Sequence, residues 1–162
     1  MASVYLLIGG NLGNRIKLLE EAREMIARST GTITRISSIY ETEPWGFIHK
    51  RYFLNQCLKV KTSLPPYDIL KSIKNIEVHF DRRKNSGTYK SRRMDIDILF
   101  YDNIILHEED LQIPHPLLQE RRFVLVPLVE IQPDFIHPVL NKSVRELLSQ
   151  CSDNKIVKLY EV

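Results

Sequence analysis

The chain has 162 residues, of which 43% are hydrophobic and 27% are charged, and these values are those of an ordinary soluble globular protein. Its length fits one domain over residues 1–162, and its net charge of +3 excludes a global field that would demand nucleic acid or an acidic membrane. Neither Cys57 nor Cys151 belongs to a CxxC motif, and no apolar run is long enough to span a bilayer. We therefore expect a cytoplasmic protein with reduced thiols and no signal peptide, although one disulfide remains compatible with the sequence.

The first half of the chain predicts one helix between strands. The predicted elements are a strand at 4–8, a helix at 15–28, and strands at 32–42 and 52–62. A glycine-containing turn follows the first strand, and Gly31 stops the helix. Pro44 and Gly46 bar regular structure from the loop between the last two strands.

The second half predicts a further helix and strand, followed by smaller elements. These are a helix after Pro66, a basic loop at 82–91, strands at 94–100, 104–106 and 156–160, a helix ending near Ile131 and one starting at Ser143. The first six elements have the order of a split βαβ fold. We predict an α+β protein with a ferredoxin-like core, in which about four helices flank a mostly antiparallel sheet of about six strands.

Two carboxylates, Asp95 and Asp97, interrupt the apolar strand at 94–100, directly behind Arg92. On a strand, residues two apart share a face roughly 6–7 Å apart, so both carboxylates point away from the apolar side, which is expected to include Phe100. Neighbouring carboxylates repel unless a cation lies between them, and paired oxygen ligands beside arginine suit Mg²⁺ carrying phosphates. A solvated strand face with Asp–Arg surface pairs is the alternative.

The glycine-rich segment at 9–13 is less informative than it looks. It matches neither GxGxxG nor GxxxxGK[ST], and no Lys-Ser or Lys-Thr pair follows it. We interpret it as a tight strand-to-helix turn, so any nucleotide would bind without a P-loop.

His115 stands between Pro114 and Pro116, which restrict the local backbone. A histidine in such a loop can hydrogen-bond a ligand phosphate or ribose. It can equally be a buried turn residue, and the sequence leaves both interpretations open.

Phe53, Asn55 and Cys57 share one face of the strand at 52–62. An amide between an aromatic ring and a thiol needs hydrogen-bond partners. Asn55 could read the edge of a flat heterocycle that Phe53 stacks on, or it could satisfy the backbone of a neighbouring loop.

Six segments then occur in a characteristic order along nearly the whole chain, at 8–13, 37–46, 53–56, 92–99, 113–116 and 121–128. The Arg-x-x-Asp-x-Asp element and the Pro-His…Arg-x-Phe element are the most specific of them. Together these segments resemble the 6-hydroxymethyl-7,8-dihydropterin pyrophosphokinase family. The chain departs from the family pattern at Gly10, where serine is usual, and at Tyr89-Lys90-Ser91, where Trp-Gly-Pro is common.

The resemblance implies an ATP-dependent pyrophosphokinase of folate biosynthesis. Such an enzyme transfers the pyrophosphoryl group of ATP to 6-hydroxymethyl-7,8-dihydropterin and releases AMP. It implies two Mg²⁺ ions and ATP as co-substrate, with small-molecule partners and neither nucleic acid nor membrane. A monomer is compatible with the sequence, which does not define the oligomeric state.

The resemblance also assigns residues by their position in the matching motifs. Its catalytic set is Asp95, Asp97, Arg82 and Arg92, in which the two aspartates bind the metal ions. Its ATP-binding set is Lys84, Arg92, Ile98, His115 and Arg121. Its pterin-binding set is Thr42, Pro44, Trp45, Phe53, Asn55, Tyr89 and Phe123, with the pterin ring expected between the two phenylalanines.

Two rival functions follow from the residues alone. Ferredoxin-like sheets with exposed aromatics and a basic loop often bind RNA, but the small net charge and the lack of an aromatic RNP-type run weigh against it. A two-metal nuclease or phosphatase would use the aspartate pair but would not account for Phe53, Asn55 and Phe123. RNA affinity would collapse with added salt, whereas pterin affinity would hardly change.

Overall fold

A six-stranded antiparallel sheet organises residues 1–43, 52–81 and 93–161, which are the residues that this computed structural model describes. The strands are β1 (Ala2–Gly10), β2 (Thr32–Ile36), β3 (Tyr40–Thr42), β4 (Phe53–Thr62), β5 (Asp95–Tyr101), β6 (Leu106–His107), β7 (Gln112–Ile113) and β8 (Val157–Leu159). The main sheet has the order β5-β1-β4-β3-β8, β2 also pairs with β4, and β6 and β7 form a separate pair. The order of its central strands is that of a ferredoxin-like fold, as predicted.

Strand β1 lies at the centre of the sheet because its residues are apolar on both faces. Val4, Leu6 and Ile8 point to one side and Tyr5 and Leu7 to the other, and all are nearly or fully buried. β1 pairs with β4 on one edge and with β5 on the other, so its backbone groups are hydrogen-bonded along both edges. A strand buried on both faces separates the protein into two apolar cores.

Helices α1 (Arg15–Ser29) and α2 (Pro66–Asp81) cover one face of the sheet. α1 begins at Asn14, whose side chain accepts a hydrogen bond from the Lys17 N–H at 3.2 Å. In α2 the predicted stripe is buried in the first core, and its members are Ile69, Ile73, Ile76 and Phe80. Both helices match the predicted spacing, because each one buries a single apolar stripe against the sheet.

Helices α3 (Arg122–Ile131) and α4 (Val144–Gln150) cover the opposite face and enclose the second core. α4 begins with the predicted capping box, in which the Ser143 hydroxyl accepts from the Glu146 N–H at 3.1 Å and the Glu146 carboxylate accepts from the Ser143 N–H at 3.0 Å. At the start of α3, Arg121 and Phe123 lie near Leu7 and Gly9 of β1.

The strand predicted at residues 32–42 is wrong as a single element, because residues 37–39 separate β2 from β3. Ser37 explains the break. Its N–H donates to the Cys57 carbonyl at 2.9 Å, its hydroxyl accepts from the Cys57 N–H at 2.9 Å, and its carbonyl accepts from the Gln56 side chain at 2.8 Å. The Ser37 side chain therefore takes part in the backbone hydrogen-bond ladder with β4, and this interrupts the regular strand pairing.

The alternation predicted along residues 94–100 holds only as far as Ile98. The register with β1 shifts between Tyr5 and Leu6, and Leu99 is the extra residue. Phe100 therefore packs in the second core with Tyr5, not in the first core with Met94. The predicted strand at 104–106 is likewise shifted, because β6 begins at Leu106 and pairs with β7.

Candidate active site

A row of three residues crosses the sheet at one end of β1. Gly9 pairs with Asp95 on β5 and with Asn55 on β4, so the carboxylate and the amide lie on the same face, on either side of the glycine. Neighbouring strands are about 4.8 Å apart, so two strand spacings give roughly 10 Å between the backbones of Asp95 and Asn55. Gly9 has no side chain, and the Asn55 side chain lies against it in the space that a Cβ would need.

A cavity of about 180 Å³ lies over this row. Its walls come from four adjacent strands and the start of α3, and its lining residues are Leu7, Gly9, Thr42, Glu43, Phe53, Asn55, Asp95, Asp97, Arg121 and Phe123. Thr42 and Phe53 are paired across β3 and β4, and Thr42 is buried. The cavity therefore combines aromatic rings, one amide and three carboxylates on one face of the sheet.

A second cavity of about 350 Å³ lies between α2 and the chain that follows β6. It is lined by Leu70, Ile73, Lys74, Ile96, Asp97, Ile98, Glu109, Asp110, Leu111, Gln112, His115 and Pro116. Asp97 belongs to both linings, so its carboxylate stands where the two cavities meet. Two ligands, one in each cavity, would approach each other at this residue.

The surroundings of Asp97 strongly disfavour a negative charge on its carboxylate. Burial and the nearby carboxylates of Asp95 and Glu77 together raise the pKa of Asp97 to about 7, while the Arg121 charge opposes them. Burial also raises the pKa of Glu77 above its usual range, again with help from Asp95. A cation beside Asp95 and Asp97 would relieve this repulsion, so the pair has the chemistry of a divalent metal site.

The protein supplies only part of a metal coordination shell here. Within the described ranges, no group of three or more histidine, cysteine, aspartate or glutamate side chains is arranged to hold a metal ion. Two aspartates leave most positions around a hard cation open, and Mg²⁺ typically fills such positions with water and substrate phosphates. The arrangement therefore suits a metal that arrives with a phosphorylated ligand.

His115 is a half-buried turn residue that also faces the second cavity. Its Nδ1 accepts a hydrogen bond from the Leu117 N–H at 3.1 Å, and its backbone N–H donates to the Leu99 carbonyl at 3.0 Å. Burial and the nearby Arg121 charge lower the pKa of His115 to about 4. The neutral ring therefore carries its proton on Nε2, which leaves one N–H to donate to a ligand.

The structure brings most of the described candidate residues into two groups. The pterin-set residues Thr42, Phe53, Asn55 and Phe123 line the first cavity, together with both aspartates. From the ATP set, Ile98 and His115 line the second cavity, whereas Arg121 lies in the wall of the first. The remaining candidates lie outside the described residues, and they are Pro44, Trp45, Arg82, Lys84, Tyr89 and Arg92.

The sequence interpretation misses three residues that shape this site. It places Gly9 only in a turn, yet a Cβ there would overlap the Asn55 Oδ1 and the Leu54 carbonyl. Glu77 contacts the backbone between the two aspartates, and Arg15 ties α1 to both ends of the loop between β3 and β4. Only the strand register could have shown that Gly9 lies between Asp95 and Asn55. Glu77 and Arg15 belong to no local sequence motif that would have marked them.

Comparison with known proteins gives consistent relatives. The family model described as 7,8-dihydro-6-hydroxymethylpterin-pyrophosphokinase matches residues 5–133. A 2-amino-4-hydroxy-6-hydroxymethyldihydropteridine pyrophosphokinase of Aquifex aeolicus is 41% identical over 146 residues, covering 90% of each chain. The protein of the same name in Porphyromonas gingivalis is 40% identical over 141 residues, covering 85% of this chain and 95% of the relative.

Solved structures share the fold. A crystal structure of Plasmodium falciparum HPPK-DHPS with pterin and p-hydroxybenzoate superimposes with a TM-score of 0.74 at 22% identity. The match covers 92% of this chain but only 43% of that longer protein, so it concerns the fold of one part of it. The family match over residues 5–133 and the identity to the two bacterial relatives show that this chain belongs to the 7,8-dihydro-6-hydroxymethylpterin-pyrophosphokinase family.

Proposed function

We propose that this chain transfers the pyrophosphoryl group of ATP to 6-hydroxymethyl-7,8-dihydropterin, giving the pterin diphosphate and AMP in folate biosynthesis. Family membership and the names of the bacterial relatives support this reaction. The observation that carries it is that Asp97 lines both cavities, one with an amide and aromatic rings and one with a neutral histidine. Two substrates can therefore meet at one carboxylate pair.

The first cavity is the proposed pterin site. Asn55 is buried and lies on the cavity side of β4. A pterin edge offers the donors and acceptors that such an amide needs. Phe53 and Phe123 supply aromatic surface for the ring, and the position of Gly9 would leave the hydroxymethyl group facing Asp95 and Asp97. Pro44, Trp45 and Tyr89 are proposed contributors from outside the described residues.

The second cavity is the proposed ATP site. Ile98 and neighbouring aliphatic side chains offer apolar surface for the base, and the His115 Nε2–H can donate to the ribose or a phosphate. Arg121 lies in the wall of the first cavity, and its charge acts on both Asp97 and His115, so we propose that it contacts the phosphates. Arg82, Lys84 and Arg92 are proposed as further phosphate contacts and lie outside the described residues.

The proposed reaction is a single displacement at phosphorus. The pterin hydroxyl oxygen attacks the β-phosphorus, the hydroxyl proton is lost, and the bond from that phosphorus to the α-phosphate oxygen breaks to release AMP. We propose that Asp95 and Asp97 hold two Mg²⁺ ions, which supply charge neutralisation for the triphosphate when bound. The protein contributes the position of both substrates and donors aimed at the transferring group.

We also propose that residues 1–162 form one pyrophosphokinase domain in the cytoplasm. The continuous sheet from β1 to β8 supports one domain, and the two free thiols, Cys57 and Cys151, suit a reducing compartment. Among the described helices, none is both long and apolar enough to cross a membrane.

The decisive assay incubates the protein with ATP, Mg²⁺ and 6-hydroxymethyl-7,8-dihydropterin and measures AMP. AMP and pterin diphosphate should appear in equal amounts, and both should require the pterin. AMP or inorganic phosphate formed at the same rate without pterin would instead indicate a nucleotide hydrolase.

A further inference from the structure

Glu77 contacts the strand that carries the two aspartates from behind. Its Oε2 accepts a hydrogen bond from the Ile96 backbone N–H at 2.8 Å, and its side chain is only 13% exposed. Ile96 is the residue between Asp95 and Asp97, so this bond holds the peptide between the two carboxylates.

The Ile96 N–H needs this partner because of its place in the sheet. β5 is the edge strand of the main sheet and pairs with β1 on one side only. An N–H on the free edge would otherwise rely on water or remain unpaired. Glu77 therefore takes the place of a neighbouring strand at the Ile96 N–H, between the two aspartates.

Glu77 itself is held in place by a second interaction. Its Oε1 lies 3.3 Å from the Lys74 Nζ, one turn earlier on α2, while the helix packs on the first core. Lys74 is 64% exposed, so this ion pair alone contributes little. The buried hydrogen bond to Ile96 is the contact that defines the position of the carboxylate.

We infer that Glu77 is a positioning residue, whose hydrogen bond to the Ile96 N–H fixes β5 so that Asp95 and Asp97 present their carboxylates together to the metal ions. The inference rests on the proposed metal role of the aspartates. Glu77 is not proposed as a metal ligand, because its Oε2 is engaged by the backbone and no three-residue metal cluster exists within the described ranges. Glu77 would act like residues that lie behind a metal site and orient the metal ligands through hydrogen bonds.

Two conservative variants separate a hydrogen bond from a charge. Glu77→Gln keeps an oxygen acceptor at the same distance and loses the charge, whereas Glu77→Asp keeps the charge and withdraws it by one methylene. Glutamine should retain kcat and Mg²⁺ affinity within about threefold, and aspartate should lower both by about 10–100-fold, the range found for outer partners of metal ligands. Glu77→Ala should match the aspartate variant.

Mg²⁺ affinity is measured by calorimetry with the α,β-methylene analogue of ATP present, so that no turnover is needed. Hydrogen exchange of the Ile96 amide provides a direct readout in the ligand-free protein, and it should accelerate in Glu77→Asp but not in Glu77→Gln. Retained Mg²⁺ affinity in Glu77→Asp with a loss in Glu77→Gln, or equal values in both, would overturn the positioning role.

Glu146→Ala is the matched control, because its carboxylate also accepts from a backbone N–H but does so at the start of α4. It should change stability only, leaving Mg²⁺ affinity and kcat as in the unmodified protein. Asp95→Ala and Asp97→Ala identify a failure of the proposed metal site itself. If they leave Mg²⁺ affinity unchanged, the metal assignment is wrong, whereas a loss there without a loss in Glu77→Asp rejects only the positioning role.

Discussion

The two cavities that meet at Asp97 differ in the parts of the fold that form them. The first is lined by adjacent strands and the start of α3, where register fixes which side chains are neighbours. The second is lined by one side of α2, by β5 and by the irregular chain around His115. Under the proposed function, side chains whose positions the sheet fixes would recognise the pterin ring, and the triphosphate would depend on the charges where the two cavities meet.

The largest expected effect comes from removing either of the two aspartates, Asp95 or Asp97, near the point where the cavities meet. Asp95→Ala and Asp97→Ala should each abolish measurable turnover, because loss of a metal ligand removes on the order of several kcal/mol of transition-state stabilisation. Pterin affinity should stay within a few-fold, since the proposed ring contacts, Phe53, Asn55 and Phe123, lie elsewhere in the first cavity. Turnover assays and pterin calorimetry check the two expectations, and near-normal activity at ordinary Mg²⁺ concentrations would remove the aspartates from the mechanism.

Arg92 is three residues before Asp95. It tests whether a positive charge near the two aspartates acts mainly in the chemical step. Arg92→Ala should slow single-turnover transfer by roughly 10²–10⁴-fold, as for other transition-state arginines, with a much smaller loss of ATP affinity. Arg93 is the neighbouring comparison, because its guanidinium lies against Gly13 at the turn after β1. Arg93→Ala should leave the chemical step little changed, so a larger kinetic defect at Arg93 would contradict the assignment.

Variants of Asn55 and His115 test whether the two cavities bind different substrates. Asn55→Ala should weaken pterin binding by about 1–3 kcal/mol, the usual cost of leaving a buried polar partner unpaired, and leave ATP affinity unchanged. His115→Ala should do the reverse by removing the Nε2–H from the second cavity. Calorimetry with each substrate on both variants decides, and parallel losses for both substrates would show that the cavities are not separate sites.

Arg15 tests whether the first cavity is held open from its rim. Its Nη1 donates to the Glu41 carboxylate at 2.7 Å and to the Tyr52 carbonyl at 2.8 Å, next to the cavity residues Thr42 and Phe53. Arg15→Ala should lower pterin affinity by about three- to tenfold, a modest value because the pair is partly exposed. In contrast, Arg145→Ala breaks an exposed pair with Asp134 and should change nothing measurable.

The last expected effect is on stability in the metal-free protein, not on substrate binding or turnover. Folding raises the pKa of Asp97 to about 7 from about 4 in an unfolded chain, so the folded state binds the extra proton between these values. Stability from this group is therefore present at low pH and falls as the pH rises toward 7. Asp97→Asn should gain melting temperature relative to the unmodified protein between pH 5 and pH 8 without metal, and a constant difference would contradict the raised pKa.

Local patterns in the sequence are sufficient for the helices and for the aspartate strand. The stripes of α1 and α2 follow from helical spacing, and the Ser143-x-x-Glu146 capping box by itself predicts where α4 begins. The side of Phe100 was predicted wrongly because a bulge at Leu99 depends on pairing with β1, a partner about ninety residues away. No local signal reports such a register shift.

The candidate site shows the same limit. Asp95 and Asn55 are conspicuous because polar residues on buried strands need an explanation, but nothing local indicates that Gly9 lies between them. Arg15 and Glu77 act through backbone groups of distant segments, so their type and spacing carry no motif. Sequence patterns thus identify the residues whose side chains could bind substrates or metal ions. The tertiary structure is needed to find the residues that position those side chains.

The central claim is that the pterin and the triphosphate meet at Asp95 and Asp97 from opposite cavities. A crystal structure with the α,β-methylene analogue of ATP, Mg²⁺ and 6-hydroxymethylpterin tests it most directly. We expect the ring beside Asn55 in the first cavity, the nucleotide against Ile98 and His115 in the second, and Mg²⁺ on both aspartates. A ring bound in the second cavity, or metal ions held away from the two aspartates, would contradict it.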